Sequence, residues 1–328
     1  MRVLSGIQPS GRLHLGNYAG AVSQFLELQA RGHELFIFIA SYHALTSVHD
    51  PDTLRFHIHA AALDYLAYGL DPDQTTLYRQ QDVPAVCELS WVLGCVCAKS
   101  QMDKATTYKD KVARGLPASI GLYTYPVLQA ADILAVEPDV VPVGRDQRQH
   151  VEIARDLAQK FNHRYGEVFR VPEVRVREEA AVLPGLDGQK MSKSYGNTLD
   201  PFEAEKPLRK RIMKIVTDSA EPTDVKDPEA SAVYQIFRGI AGADDPRTLE
   251  LAERYRDPSR QGPDGFGYGH AKQALFELVM DTFGPARARR AELESDPDRV
   301  EAVLRAGAAR AEAVIRPVVE RVRRAVGL

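Results

Sequence analysis

Two short stretches, far apart in the chain, hold residue types that can act on a triphosphate. One is Leu13-His14-Leu15-Gly16-Asn17 and the other is Lys190-Met191-Ser192-Lys193-Ser194. The first follows the apolar run Val3 to Ile7 and the breaker stretch Gln8-Pro9-Ser10-Gly11, and it opens a segment with helical spacing. A helix N-terminus presents backbone N–H groups without intrahelical partners and the positive end of the helix dipole, so phosphate binds there. Gly16 would admit a nucleotide close to the backbone, and His14 would donate toward charge developing on an α-phosphate. Alone, an H-x-G at such a turn is more often an ordinary strand–turn–helix with a surface histidine. In the second stretch, two lysines three positions apart lie between Gly185, Gly188 and Gly196. On a loop they can clamp a triphosphate, most strongly when the leaving pyrophosphate takes up its charge. A solvated basic loop is the competing reading, and the five-residue string favours the clamp over it.

The elements that must position these residues alternate in type. Strands are predicted at Val3–Ile7, Leu35–Ala40 and Thr75–Tyr78. Helices are predicted at Gly16–Gln29, Asp52–Tyr68 (ended by Gly69) and Val83–Ala98. That order predicts an α/β fold, a Rossmann-like doubly wound parallel sheet with right-handed crossovers. From Pro201 onward the pattern is helical and charged with no clear strand, interrupted by the Gly-rich stretch Gly262–Gly269. The final amphipathic run, Arg299 to Val326, contains Pro317, which should kink or break it. The expected division is a catalytic domain at 1–200 and a mainly α-helical second domain at 201–296. Helix 297–328 is expected to pack back near the first, with the boundary in the loop around Gly185–Asp200.

The chain of 328 residues carries a formal net charge of −3, which argues against a protein that coats nucleic acid non-specifically. No apolar run is long enough to span a bilayer, and the N-terminus does not read as a signal peptide. Three cysteines, Cys87, Cys95 and Cys97, form no disulfide framework. Cys87, Trp91 and Cys95 share helical spacing with apolar neighbours. They are expected to be buried thiols rather than metal ligands, in a reducing compartment, the cytosol.

Taken together, the two signatures are specific. His14 with Leu15-Gly16-Asn17 resembles the HIGH-type signature of class I aminoacyl-tRNA synthetases, and Lys190 to Ser194 is their KMSKS signature. Within that class the chain resembles the tryptophanyl enzymes over almost its full length. The resemblance is carried by Ser5-Gly6-Ile7-Gln8-Pro9-Ser10-Gly11, Gly16-Asn17-Tyr18, Tyr125-Pro126-Val127-Leu128 and Ala130-Ala131-Asp132-Ile133-Leu134. It continues through Val141-Pro142-Val143-Gly144, Asp146-Gln147, Gln149-His150, Val216-Thr217-Asp218-Ser219 and Gly267-Tyr268-Gly269.

The resemblance implies tryptophan activation by ATP with Mg2+, transfer to tRNA(Trp), and a homodimer. It implies His14, Asn17, Lys190 and Lys193 as catalytic residues. It places ATP on Gln8, Pro9, Ser10, Gly16, Asn17, Gly144, Arg145, Asp146, Val182, Lys190, Met191, Ser192, Lys193 and Ser194. It places tryptophan on Leu4, His43, Tyr125, Gln129, Asp132, Val141, Val143 and Gln147, with Asp132 accepting the indole N–H. It implies no protein-held metal, and it assigns tRNA reading to 201–296, where Arg209, Lys210, Arg211 and Lys214 share a helix.

The chain departs from the family pattern at several places. Arg145 stands where Glu is usual, Ser41-Tyr42 replaces Asp-Gln before His43, and Lys104-Ala105-Thr106-Thr107 replaces an Arg-Met-Thr-Gln core. Gln129 stands for Met and Leu4 for Phe, which marks a divergent branch and predicts a broader or shifted ring specificity. Three other readings compete: a tyrosyl-type synthetase, a non-catalytic tryptophan-binding paralogue, and another nucleotidyltransferase. The intact His14, Lys190 and Lys193 weigh against the second, and the KMSKS string with the long helical C-terminal part against the third.

Overall fold

The computed structural model describes residues 1–104, 108, 112–113, 115–144, 147–176 and 182–328. Val143 and residues 174–176 are described by their backbone alone. Five parallel strands form one sheet: β1 (Arg2–Ile7), β2 (Glu34–Ile39), β3 (Thr75–Arg79), β4 (Val140–Val143) and β5 (Glu173–Val176). Their order is β3-β2-β1-β4-β5, so the winding reverses between β1 and β4. Ligands bind outside the carboxyl ends of strands at such a switch point.

Helical connections make the strands parallel. Between β1 and β2 run α1 (Leu15–Asn17), a π-helical turn (Tyr18–Val22) and α2 (Ser23–Ala30). Between β2 and β3 lie α3 (Ser41–Ala44) and α4 (Pro51–Tyr68). The start of α4 is fixed by the Asp50 side chain, which accepts the Thr53 N–H at 2.7 Å, and by Pro51 in its first turn. A 3-10 turn (Gln80–Asp82), α5 (Ala85–Val96), α6 (Lys99–Asp103) and α7 (Ile120–Val136) lead to β4, and α8 (Arg148–Tyr165) leads to β5. After the sheet come α9 (Glu205–Ile212), α10 (Ala232–Ala241), α11 (Pro246–Arg256), α12 (Tyr268–Ser295) and α13 (Pro297–Val326).

The strands read as continuous apolar runs because both sheet faces are covered. Val3, Leu35, Ile37, Ile39 and Leu77 enter one apolar cluster, and Leu4, Phe36, Phe38 and Tyr78 enter another. The first cluster continues through Leu183, Met191, Leu208 and Ile212 into Phe237, Tyr255 and Phe283, so α9 to α12 share a core with that face of the sheet. A buried ion pair joins the same two regions. Arg290 Nε of α12 lies 3.0 Å from Asp64 Oδ1 of α4, both under a tenth exposed. Asp64 Oδ2 accepts the Leu13 N–H at 2.7 Å, one residue before His14. Helix α13 runs along the edge strand β3, giving Val300 and Leu304 to the first cluster and Ala308, Ala311 and Ile315 to the second, and a Cβ at Gly307 between them would fall 1.8 Å from the Leu77 carbonyl oxygen. Only glycine permits that approach.

Four expectations are corrected. Helix α13 runs unbroken through Pro317, because Pro317 is on the exposed side. There water can satisfy the freed carbonyl, while Ile315, Val318, Val319 and Val322 stay buried against the second cluster. Cys87 and Cys95 are exposed, as is Trp91 at 76%, and Cys97 is half-buried. The cysteine–tryptophan stripe is the outer face of α5, whose inner face is Val86, Leu89, Val92 and Leu93. The first helix is not uniform, because it widens to a π-helical turn at Tyr18–Val22. The Gly-rich stretch is loop only up to Gly267, and α12 begins at Tyr268. Among the described residues, no helix is long and apolar enough to cross a membrane.

Candidate active site

A cavity of about 380 Å³ opens at the carboxyl ends of β1, β2 and β4, at the switch point. Ser5 to Gln8 of β1 and its following loop line it, beside Val141, Pro142 and Gly144 of the neighbouring β4 and its following loop. Gly20, Ala21, Gln24 and Phe25 cover it from the π-helical turn and α2. A π-turn carries one extra residue and re-aims the helix face, which is why such turns gather at sites. Leu4, His43, Tyr125, Gln129, Val141 and Gln147 line this cavity, as do Gln8 and Gly144.

At the apolar end, Asp132 of α7 is 3% exposed and lies just behind the lining. A carboxylate this deep must be hydrogen-bonded, and it is. His43 Nε2 contacts Asp132 Oδ2 at 2.8 Å. Gln80 Nε2 donates to Asp132 Oδ1 and Oδ2 at 2.8 and 2.9 Å. Tyr125, earlier on the same helix, has its hydroxyl 2.7 Å from His150 Nε2. Gln8 Nε2 donates to the His43 carbonyl at 3.3 Å and to Ser47 Oγ at 3.1 Å, tying the loop after β1 to the loop after β2.

The two signatures meet each other outside the cavity wall, which none of their residues lines. The Asn17 side chain accepts the His14 N–H at 3.1 Å and fixes the start of α1. The Gly16 N–H points at Met191 Sδ at 3.3 Å. A Cβ on Gly16 would lie 3.0 Å from the His14 ring, so glycine leaves room for that ring. Lys193 Nζ donates to the Gly11 carbonyl at 2.9 Å and to Ser10 Oγ at 3.3 Å. The lysine stretch is a built hairpin, with Pro184 bridged to Lys190 and Asn197 at its centre. Asn197 is 3% exposed, its Oδ1 accepts the Ser192 N–H at 2.8 Å, and its Nδ2 donates to the Lys190 carbonyl at 3.1 Å.

Burial, with help from the Lys193 charge, presses His14 down to about 4, so at pH 7 its ring is neutral and acts through hydrogen bonds. Burial lowers Lys193 to about 8, against the opposing pull of Asp64 and Asp200. Lys193 therefore remains mostly protonated at pH 7. Burial also lowers His57 of α4, again with Lys193 adding to it.

Several residues expected at the site are not brought into the cavity wall: His14, Gly16, Asn17, Asp132, Met191, Ser192 and Lys193 all lie outside its lining. Val182 is 63% exposed and does not line it, and Lys190 and Ser194 are exposed on the hairpin. Pro9 is buried and Ser10 exposed in the loop after β1. Arg145 and Asp146 lie outside the described residues, as do Ala105, Thr106 and Thr107, and of Val143 only the backbone is described. Three buried polar residues were not singled out in the sequence: Gln80, Asn197 and Asp64. A Gln-Gln-Asp run directly after strand β3, a Gly-Asn closing the lysine loop, and an Asp inside the apolar run Ala60–Leu66 were the available signals.

Comparison with known proteins places this geometry. Residues 1–264 match the model of the tRNA synthetases class I (W and Y). The tryptophan–tRNA ligase of Rhodopirellula baltica is 49% identical over the full length of both chains. That of Fusobacterium nucleatum is 44% identical over all of this chain and 98% of its own. The crystal structure of the Campylobacter jejuni tryptophanyl-tRNA synthetase complexed with ADP and tryptophan superposes with a TM-score of 0.91, at 45% identity and full coverage of both chains.

Proposed function

The chain belongs to the class I tRNA synthetases of the tryptophan and tyrosine group, and we propose that it activates tryptophan with ATP and ligates it to tRNA(Trp). The observation that carries this reading is the meeting of the two signatures beside a cavity with a buried carboxylate at its far end. Lys193 reaches the Gly11 carbonyl, and Gly16 meets Met191. Tryptophan rather than tyrosine is favoured by full-length similarity to tryptophan–tRNA ligases.

In the first step a tryptophan carboxylate oxygen attacks the α-phosphorus. The bond to the bridging oxygen breaks, and pyrophosphate leaves with the electron pair. No side chain needs to be a nucleophile; the protein positions the reactants and meets the developing charge. Neutral His14 and the N-terminus of α1 face the α-phosphate, while Lys193 and Lys190 act on the leaving pyrophosphate. Gln8, Gly16, Asn17 and Gly144 hold the nucleotide. In the second step a terminal ribose hydroxyl of tRNA attacks the adenylate carbonyl carbon and AMP leaves.

Asp132 accepts the indole N–H. A carboxylate offers about four acceptor positions, and His43 and Gln80 occupy three, which leaves one on Oδ1. Tyr125 and Gln147 take the α-amino group, and Leu4, Gln129 and Val141 bound the ring. Magnesium would arrive bound to the ATP phosphates. The ion neutralises phosphate charge when bound.

Residues 201–296 read tRNA, 1–200 with the C-terminal helix carry the chemistry, and the protein works in the cytosol. A homodimer is supported by the outward stripe of Cys87, Trp91 and Cys95 on α5 and by Ile120, 77% exposed. The test is charging: the protein with ATP should attach labelled tryptophan, and not tyrosine, to bacterial tRNA. Tyrosine charging with no tryptophan charging would overturn the assignment.

A further inference from the structure

We infer that Gln80 is a specificity-positioning residue, a clamp that holds the Asp132 carboxylate in place for the indole N–H. The inference rests on the tryptophan reading above and deepens it. Gln80 begins the 3-10 turn after β3 and is 1% exposed. Its amide cannot be turned round. Oε1 accepts the Tyr42 backbone N–H at 2.9 Å, so Nε2 must face Asp132 as a donor. From there it spans both carboxylate oxygens, at 2.8 and 2.9 Å.

The clamp is anchored twice on α3, the short helix after β2. Tyr42 orients the Gln80 amide, and Ser41 Oγ accepts the Gln81 N–H at 3.1 Å. Ser41-Tyr42 is also where the chain departs from the usual Asp-Gln. The next residue, His43, takes the remaining place on Oδ2. With both oxygens held in one plane, a single acceptor position is left, and it has a fixed direction. A substrate ring with an N–H in that direction satisfies it, and a ring without one leaves a buried acceptor unpaired. Discrimination of that kind is large because the unpaired group sits in the protein, away from water.

The test compares tryptophan with its sulfur analogue, benzothienylalanine, which keeps the ring shape and lacks the N–H. Amino-acid-dependent ATP–pyrophosphate exchange is measured for the native protein, Gln80→Met and Asp132→Ala. Gln80→Met should lower kcat/KM for tryptophan at least about tenfold, the cost of a lost hydrogen bond to a charged group. It should change the value for the sulfur analogue less than about threefold, within the reach of a packing change alone. Equal losses on both substrates would mean Gln80 only supports the fold, and no loss would mean the clamp does nothing. Either result overturns the inference.

Gln80→Glu supplies a second readout. It keeps an acceptor for Tyr42 and sets a second carboxyl against Asp132. Two carboxyls in one site share a proton, so one of them titrates well above the usual carboxylate range. Once protonated, the introduced glutamate can donate as glutamine does. Tryptophan activation by this variant should therefore rise as pH falls, relative to the native protein. His43 contacts Asp132, Tyr78 and Cys87 lie close enough to feel its charge, and the native protein, which carries all three, is the control. A flat ratio across pH would count against the clamp. If the native protein shows no tryptophan-dependent exchange, the functional reading itself fails. If it does, and Asp132→Ala keeps its preference for tryptophan over the analogue, the indole acceptor is misassigned and the clamp falls with it. Failure of the Gln80 variants alone overturns only the clamp.

Discussion

Replacing Lys193 by alanine should slow adenylate formation about a hundredfold while weakening ATP binding far less. The ammonium is already placed, since it bridges the lysine hairpin to the Gly11 carbonyl at 2.9 Å. A unit charge about 4 Å from a phosphate oxygen at an effective dielectric of 20 interacts by about 4 kcal/mol. Part of that is present in ground-state ATP, which is already anionic. Only the charge gained as the bridging bond breaks counts toward rate. Taking roughly two-thirds of the interaction as new gives about 2.7 kcal/mol, or about a hundredfold. The assay is single-turnover adenylate formation at saturating ATP, with ATP affinity measured separately.

The same lysine sets a pH limb. Its ionisation is lowered to about 8, so above that pH the free enzyme loses the cation. The value of kcat/KM for ATP, which reports the free enzyme, should fall as pH rises through about 8. Lys193→Arg should remove that fall, because a guanidinium stays charged. Unchanged turnover at saturation in Lys193→Ala, or an alkaline limb that persists in Lys193→Arg, would refute the reasoning.

Two other outcomes are expected. Gln129 lines the cavity and offers a donor and an acceptor. Gln129→Met should therefore reduce activation of ring-hydroxylated or nitrated tryptophan relative to tryptophan by about 0.5–1.5 kcal/mol, up to about tenfold, and identical discrimination by both proteins would remove Gln129 as the cause. Of the five basic residues on and just after α9, Arg211 donates to the Thr198 carbonyl and Arg209 to Gln273, while Lys206, Lys210 and Lys214 face solvent. Lys210→Glu with Lys214→Glu should lower charging about tenfold or more and flatten its salt dependence, with pyrophosphate exchange unchanged; undiminished charging would refute the tRNA-facing assignment.

The parallel sheet was legible because both of its faces are covered, which writes β2 as the run Leu35 to Ile39 with no alternation to misread. The two signatures were legible because phosphate chemistry needs particular residues at particular spacing. Their meeting was not: nothing in Gly16 or Met191 states that residues 175 positions apart touch. The outward stripe on α5 was misread because Cys87, Trp91 and Cys95 repeat at helical spacing just as the inner face does. Periodicity finds a face without saying which way it points. Pro317 was given its intrinsic effect, and tertiary packing on one side of α13 outweighed it. Gln80 stayed hidden because a single glutamine after a strand has no spacing to betray it. Its role exists only through Tyr42 and Asp132, which the fold brings to it.

The most direct measurement is ATP–pyrophosphate exchange by the native protein, with each of the twenty amino acids supplied in turn. Exchange should depend on tryptophan and be nearly absent with tyrosine and phenylalanine, since neither ring carries an N–H for Asp132. Exchange supported by tyrosine instead, or by no amino acid, would contradict the account.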